Sequence, residues 1–205
     1  MPVLRTVLIW LFLVAAIAVP IALAAQSPFL AWREPVYILA SFAGIIGLVL
    51  LLIQPMLAAG WLPGLPLARA RYIHRWTGGL LVMAILIHVG GLWITSPPDV
   101  VDALLFVSPT PFSVWGVVAM WAVFAAALLA SLRRTLHVAP RKWRLVHTVL
   151  ACVIVVGTVV HALLIEGAME TLSKVALCVL VTGVTLKVIV DLRAWVPLWR
   201  RGTRE

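Results

Sequence analysis

Ile73-His74-Arg75-Trp76-Thr77-Gly78-Gly79-Leu80-Leu81-Val82-Met83-Ala84-Ile85-Leu86-Ile87-His88-Val89-Gly90-Gly91 decides how the chain is read. From Trp76 to Ile94 it carries no charge, and about 20 such residues are what a helix needs to cross a hydrocarbon layer about 30 Å thick. Five other stretches have the same character, so the predicted spans are 7–25, 36–53, 76–94, 114–132, 145–165 and 172–190. Gly, Pro and acidic residues punctuate the gaps: Ser27-Pro28 and Pro35, Gln54-Pro55 through Pro66, Pro97-Pro98, Pro109 to Pro111, Pro140, and Glu166-Gly167. Residues 100–107 are expected to form a short helix lying in the interface. Lys174 and Lys187 in the sixth span are expected to snorkel towards opposite headgroup layers. The expected fold is therefore all-α, a polytopic membrane protein whose residues 1–205 form one six-transmembrane-helix bundle.

Composition agrees. Of 205 residues, 64% are apolar and 11% charged, with a mean hydropathy of +1.14. A soluble domain carries roughly a quarter of its residues as charges. A disordered chain is excluded by the apolar excess, and the net charge of +9 does not point to nucleic acid. The charge instead follows topology. With both termini inside, the inner segments sum to +12 and the outer ones to −3, an asymmetry that fixes an N-in, C-in arrangement. Trp32, Trp61, Trp76, Trp93, Trp143 and Trp195 fall near predicted span ends, as an aromatic belt requires, and Trp199 lies further into the basic inner tail. Arg5, an apolar run and Ala22-Leu23-Ala24 also fit a signal peptide, although the run is longer than a usual one. Cys152 and Cys178 sit inside apolar runs and read as small packing residues.

Four of the five histidines form two identical pairs. His74 and His88 stand 14 residues apart on span three, and His147 and His161 stand 14 apart on span five. Fourteen residues are about 3.9 turns and about 21 Å of helix rise, so each pair shares one face at two depths. Spans three and five run in the same direction. His74 and His147 therefore share the inner level, and His88 and His161 the outer one. A titratable ring at membrane depth is costly and usually faces the bundle interior for a function. Two opposed imidazoles are what a six-coordinate haem iron needs as axial ligands. One turn towards the mid-membrane from each histidine stands a small residue, Gly78, Ala84, Ala151 or Gly157, which leaves room for a flat macrocycle.

The expected cofactors are two b-type haems, an inner one on His74 and His147 and an outer one on His88 and His161. Two imidazoles per level, with no thiolate or carboxylate nearby, are too few for a closed zinc or copper site. Arg71, Arg75, Arg141 and Arg144 flank the inner pair and suit haem propionates, although anionic headgroups and topology call for them too. His137 is expected to be a solvated loop residue, and Lys187 with Asp191 a local ion pair. Two stacked bis-histidine haems disfavour oxygen binding at iron and favour electron transfer across the membrane. Because reduced flavin and nicotinamide pools are cytoplasmic, electrons should enter at the inner pair and leave at the outer one.

Ile73 to Gly78 with His88, Pro111-Phe112-Ser113-Val114-Trp115-Gly116, and Lys142-Trp143-Arg144-Leu145-Val146-His147 with His161 resemble the ferric reductase-like transmembrane domain. That family includes the haem domains of ferric reductases and NADPH oxidases and the haem subunit of a methionine-sulfoxide reductase system. The resemblance implies a b-type dihaem oxidoreductase component in a bacterial inner membrane, moving electrons outward from cytoplasmic flavin. Only about fifteen residues follow span six, with no dinucleotide fingerprint. A separate cytoplasmic flavin reductase or a quinol is therefore expected as donor, and a periplasmic protein or a metal chelate as acceptor. Two other readings stay open: a cytochrome b-like quinol-linked subunit, and a haem-free membrane subunit whose histidines only join helices.

Overall fold

A long apolar run with no water to bond its backbone must close its hydrogen bonds within itself, and the chain does so by coiling. A computed structural model describes residues 2–192, so Arg193, Trp195, Trp199, Arg200, Arg201, Arg204 and Glu205 lie outside the described residues. In chain order the helices are α1 (Pro2–Ala25), α2 (Pro35–Ala59), α3 (Leu67–Thr95), α4 (Pro97–Leu104), α5 (Ser113–Leu132), α6 (Pro140–Leu164) and α7 (Thr171–Asp191). A 3-10 turn at Pro28–Leu30 follows α1. All but α4 are long and apolar enough to cross a membrane, which gives the six expected spans.

Helices α1 and α6 begin at Pro2 and Pro140, five residues before the expected span starts, and three further boundaries differ from the sequence reading. Pro55 does not end the second span: α2 continues to Ala59 and stops at Gly60, whose φ of 70° only glycine adopts freely. There the Gly60 and Trp61 N–H groups cap the carbonyls of Leu57 and Met56. Helix α3 starts nine residues before Trp76, so His74 lies more than a turn inside a helix. The short helix α4 covers Pro97–Leu104 instead of 100–107, because Pro97 and Pro98 suit a first turn and Phe106 leaves it at a φ of 60°.

In lipid, helices associate through close contact more than through burial of apolar area. Helices α2 and α3 meet where a Cβ on Gly91 would lie 2.8 Å from that of Ala40. Helices α5 and α6 meet where a Cβ on Gly157 would come within 2.9 Å of the Trp115 carbonyl oxygen. Helix α7 joins the two pairs, packing on both α2 and α6 through Leu177, Cys178 and Val181, while α1 lies outside against α7 and α2. Cys178 is thus a core residue as expected, whereas Cys152 is exposed. Lys187 is exposed and pairs with Asp191 at 3.0 Å. Lys174 does not snorkel. It is buried, and its Nζ donates to the Ile165 carbonyl at 2.6 Å, capping the C-terminus of α6.

The two histidine-bearing helices pack on their neighbours, α3 on α2 and α6 on α5, with little backbone contact between them. Within α3 only Ala70, Leu81 and Ala84 are buried, and within α6 only Ile154, Val155 and Gly157. The fold therefore holds α3 and α6 face to face across a gap.

Candidate functional site

Across that gap the four imidazoles meet in two couples, at the two levels the spacing predicts. Ring centres of His74 and His147 are 6.4 Å apart, and those of His88 and His161 are also 6.4 Å apart. Two imidazoles on opposite sides of one metal ion have ring centres about 6.2 Å apart. That sum combines two metal–nitrogen bonds of about 2 Å with about 1.1 Å from nitrogen to ring centre on each side. Both couples have the separation that a shared metal requires. Their ring planes are inclined at 75° and 82°, close to perpendicular. Among the described residues no group of three or more His, Cys, Asp or Glu could hold a metal ion, so the protein offers imidazole couples and not closed cages.

Neighbouring helices fix three of the rings through backbone carbonyls. Nδ1 of His88 lies 2.8 Å from the Ala40 oxygen in α2, and Nδ1 of His161 lies 2.9 Å from the Phe112 oxygen at the start of α5. Nδ1 of His74 lies 3.1 Å from the Gln54 oxygen. A carbonyl only accepts, so each Nδ1 carries the proton and each Nε2 keeps its lone pair for a ligand. Histidine metal ligands are commonly oriented in this way by the bond made at the other nitrogen.

The outer two bonds share a further device. Gly44 and Gly116 each stand four residues after the accepting carbonyl. A Cβ on Gly44 would lie 3.0 Å from His88 Nδ1, and one on Gly116 would lie 2.6 Å from His161 Nδ1. A Cβ at Gly116 would block the imidazole's approach to the helix backbone, and one at Gly44 would crowd it. The Phe112 oxygen takes the Gly116 N–H at 3.2 Å as well as the His161 N–H. Hydrogen bonds among Ser108, Thr110 and Ser113 order the turn that presents this carbonyl. At the inner level Gln54 grips α3 three times: its backbone oxygen accepts from His74, and its Nε2 donates to Thr77 Oγ1 at 3.1 Å and to the His74 carbonyl at 3.4 Å.

Residues 39–158 match the family described as ferric reductase like transmembrane component. The chain belongs to that family. The match contains His74, His88 and His147 together with Ala40, Gly44, Gln54, Phe112 and Gly116, and ends just before His161. No curated protein and no solved structure matches. As a ferric reductase-like transmembrane component the protein is a membrane electron-transfer component.

In this ferric reductase-like component the remaining sequence-selected residues fall as follows. Ala84 is buried, while Ala151 and Gly78 are half-buried. A Cβ at Gly78 would point to Gln54 Nε2 at an ordinary 3.6 Å, and the one at Gly157 would strike α5, so packing already accounts for the smallness of Gly157. Arg71, Arg141 and Arg144 are exposed, as is Arg75, which leans over the Tyr72 ring. Among the described residues the sole ion pair is Lys187 with Asp191, so these guanidinium groups have no carboxylate partner there. His137 is exposed in a turn, with a φ of 49°, as a loop residue should be. The sequence reading missed Ala40, Gln54 and Phe112, because any residue supplies a carbonyl. It quoted Gly116 only as part of a motif and passed over Gly44. The recoverable signal was a glycine on the neighbouring span at the depth of each outer histidine.

Proposed function

We propose that the protein binds two b-type haems, with His74 and His147 as axial ligands of the inner one and His88 and His161 as those of the outer one. On this reading it carries electrons outward across a bacterial inner membrane with both termini in the cytoplasm. The observation that carries the reading is the 6.4 Å separation in both couples, with Nε2 left free wherever a carbonyl takes the Nδ1 proton. The gap between α3 and α6 supports it further. So does an orphaned donor at the inner level: among the described residues the buried Trp143 Nε1 has no hydrogen-bond partner, and buried N–H groups are rarely left so.

Each haem, when bound, supplies an iron that accepts and releases one electron at a time. The chain's own residues do the rest. The four imidazoles would hold the irons, two to each level, and would leave no open position on them for oxygen or water. Ala40, Gln54 and Phe112 hold the rings in place. Arg71, Arg75 and Arg144 supply cations at the inner level for propionates, whose carboxylates suit the guanidinium fork. Ala151, half-buried beside His147, leaves surface for a macrocycle, whereas Ala84 is already buried in protein contacts and Gly78 faces Gln54 of α2. The donor is a cytoplasmic flavin reduced by NAD(P)H, and the acceptor an external ferric chelate or periplasmic protein.

Purified full-length protein in nanodiscs tests this. NADH with a soluble flavin reductase should reduce both haems, and an added ferric chelate should reoxidise them. His88→Ala should keep the inner haem reducible and abolish transfer to the chelate. Transfer that persists undiminished in His88→Ala would refute the outward path. Reduction by quinol alone, blocked by quinone analogues, would replace the flavin donor with a quinol.

A further inference from the structure

Three of the four imidazoles are held by one device, and the fourth is not. On α2 the accepting residues Ala40 and Gln54 are 14 positions apart, matching His88 and His74 on α3. On α5 the same spacing from Phe112 leads to Ala126, which is buried at the corresponding inner level. Yet His147 Nδ1 has no hydrogen-bond partner among the described residues. What lies against His147 is Trp143, one turn earlier on α6. Its indole is parallel to the imidazole, at 9° with ring centres 5.1 Å apart. On Trp143 in turn sits Arg133, its guanidinium carbon 4.5 Å from the indole centre. Arg133, Trp143 and His147 form one layered stack at the inner end, and among the described residues nothing comparable touches His88 or His74, while Phe112 meets His161 only edge-on, at 70°.

We infer that Trp143 is the positioning residue of His147: a stacked plate, backed by Arg133, sets the plane of the one axial imidazole that lacks a carbonyl acceptor. The inference rests on the haem reading above. A stack and a hydrogen bond differ in what they do to a ligand. The hydrogen bond fixes rotation about the metal–nitrogen axis and makes the imidazole a stronger donor. The stack fixes the plane through dispersion and, with arginine, cation–π attraction, and leaves the Nδ1 proton undrawn. The inner couple is then electronically unlike the outer one, with one strengthened imidazole and one unassisted. Its plane depends on a side chain instead of on the helix backbone. Removing the plate lets His147 rotate, which alters the inner iron and leaves the outer one as it was.

The test uses full-length protein carrying its haems, with low-temperature electron paramagnetic resonance and spectroelectrochemical titration of wild type, Trp143→Phe, Trp143→Leu and Arg133→Gln. The inner signal is identified as the one that survives in His88→Ala. Trp143→Leu should shift and broaden the g values of the inner haem and displace its midpoint potential, with the outer haem unmoved. Trp143→Phe, which keeps a stacking ring, should stay near wild type, and Arg133→Gln should give a smaller displacement of the inner haem alone. An inner haem unchanged in Trp143→Leu, equal changes in both haems, or a Phe variant as altered as the Leu variant would overturn the inference. Should the Leu variant fail to assemble, an inner haem unmoved in Arg133→Gln and shifted in Trp143→Phe would overturn it equally. A wild type without haem would refute the functional reading itself, before any variant is compared.

Discussion

Replacing Gly116 by alanine should dislodge the outer couple and spare the inner one. The added Cβ would lie 2.6 Å from His161 Nδ1 and 2.7 Å from its Cε1. Ordinary carbon contacts need about 3.5 Å, so the ring must retreat by roughly 0.9 Å. That retreat is close to half a metal–nitrogen bond of about 2 Å. It would also stretch the 2.9 Å bond to the Phe112 oxygen beyond hydrogen-bonding range. The helix cannot yield instead, because the Gly116 N–H is itself bonded to that carbonyl. Overpacking costs of about 1–3 kcal/mol would weaken retention of an outer haem by roughly 5- to 150-fold. Gly44→Ala is milder, since its Cβ would stand 3.0 Å from His88 Nδ1 and a shift of about 0.5 Å relieves it. Haem content and reduced-minus-oxidised spectra of the two variants are the assay. The expected order of outer-haem loss is Gly116→Ala, then Gly44→Ala, then wild type, with the inner haem present throughout. Full outer-haem content in Gly116→Ala, or loss of the inner haem with it, would refute the cradle.

Two more outcomes follow from the geometry. With haems bound, rings inclined at 75° and 82° would donate to different iron orbitals, so both oxidised haems should give low-spin resonance signals with one unusually large g value, and rhombic signals typical of parallel rings would contradict the ring geometry. Glu170, at the start of α7, accepts from the backbone N–H groups of Ser173 and Leu172, which hold its carboxyl below the usual carboxylate range. A lowered folded-state pKa means the stabilisation is complete above the ordinary value of about 4.3 and is lost as pH falls through the depressed one. Glu170→Gln should therefore melt earlier than wild type at neutral pH and converge with it in acid, and a gap independent of pH would contradict the cap.

The spans and the histidine couples were legible because their causes are written in side chains. A bilayer demands an apolar length, and a buried imidazole demands a reason. The equal spacing on two parallel spans then dictated depth. The carbonyls of Ala40, Gln54 and Phe112 were not legible, since every residue has one and only the packing of α3 on α2 and of α6 on α5 selects which is used. Gly44 and Gly116 were hidden among glycines that serve helix contacts, as Gly91 and Gly157 do. Pro55 misled because a helix stop was read from the residue lacking a donor, whereas contacts made by Gln54 with His74 and Thr77 hold the helix through it. Lys174 misled for a related reason: a cation near a span end was assigned to the headgroups, while the C-terminus of α6 offered it a carbonyl.

Haem stoichiometry of the purified chain, set against single histidine replacements, bears most directly on the central claim. Pyridine haemochrome assay against protein mass should give two haems per wild-type chain. It should give one in His161→Ala and one in His147→Ala, with the retained haem differing between the two. A colourless wild-type chain made with ample haem supply, or a wild type holding two haems that both survive the loss of His161, would contradict it.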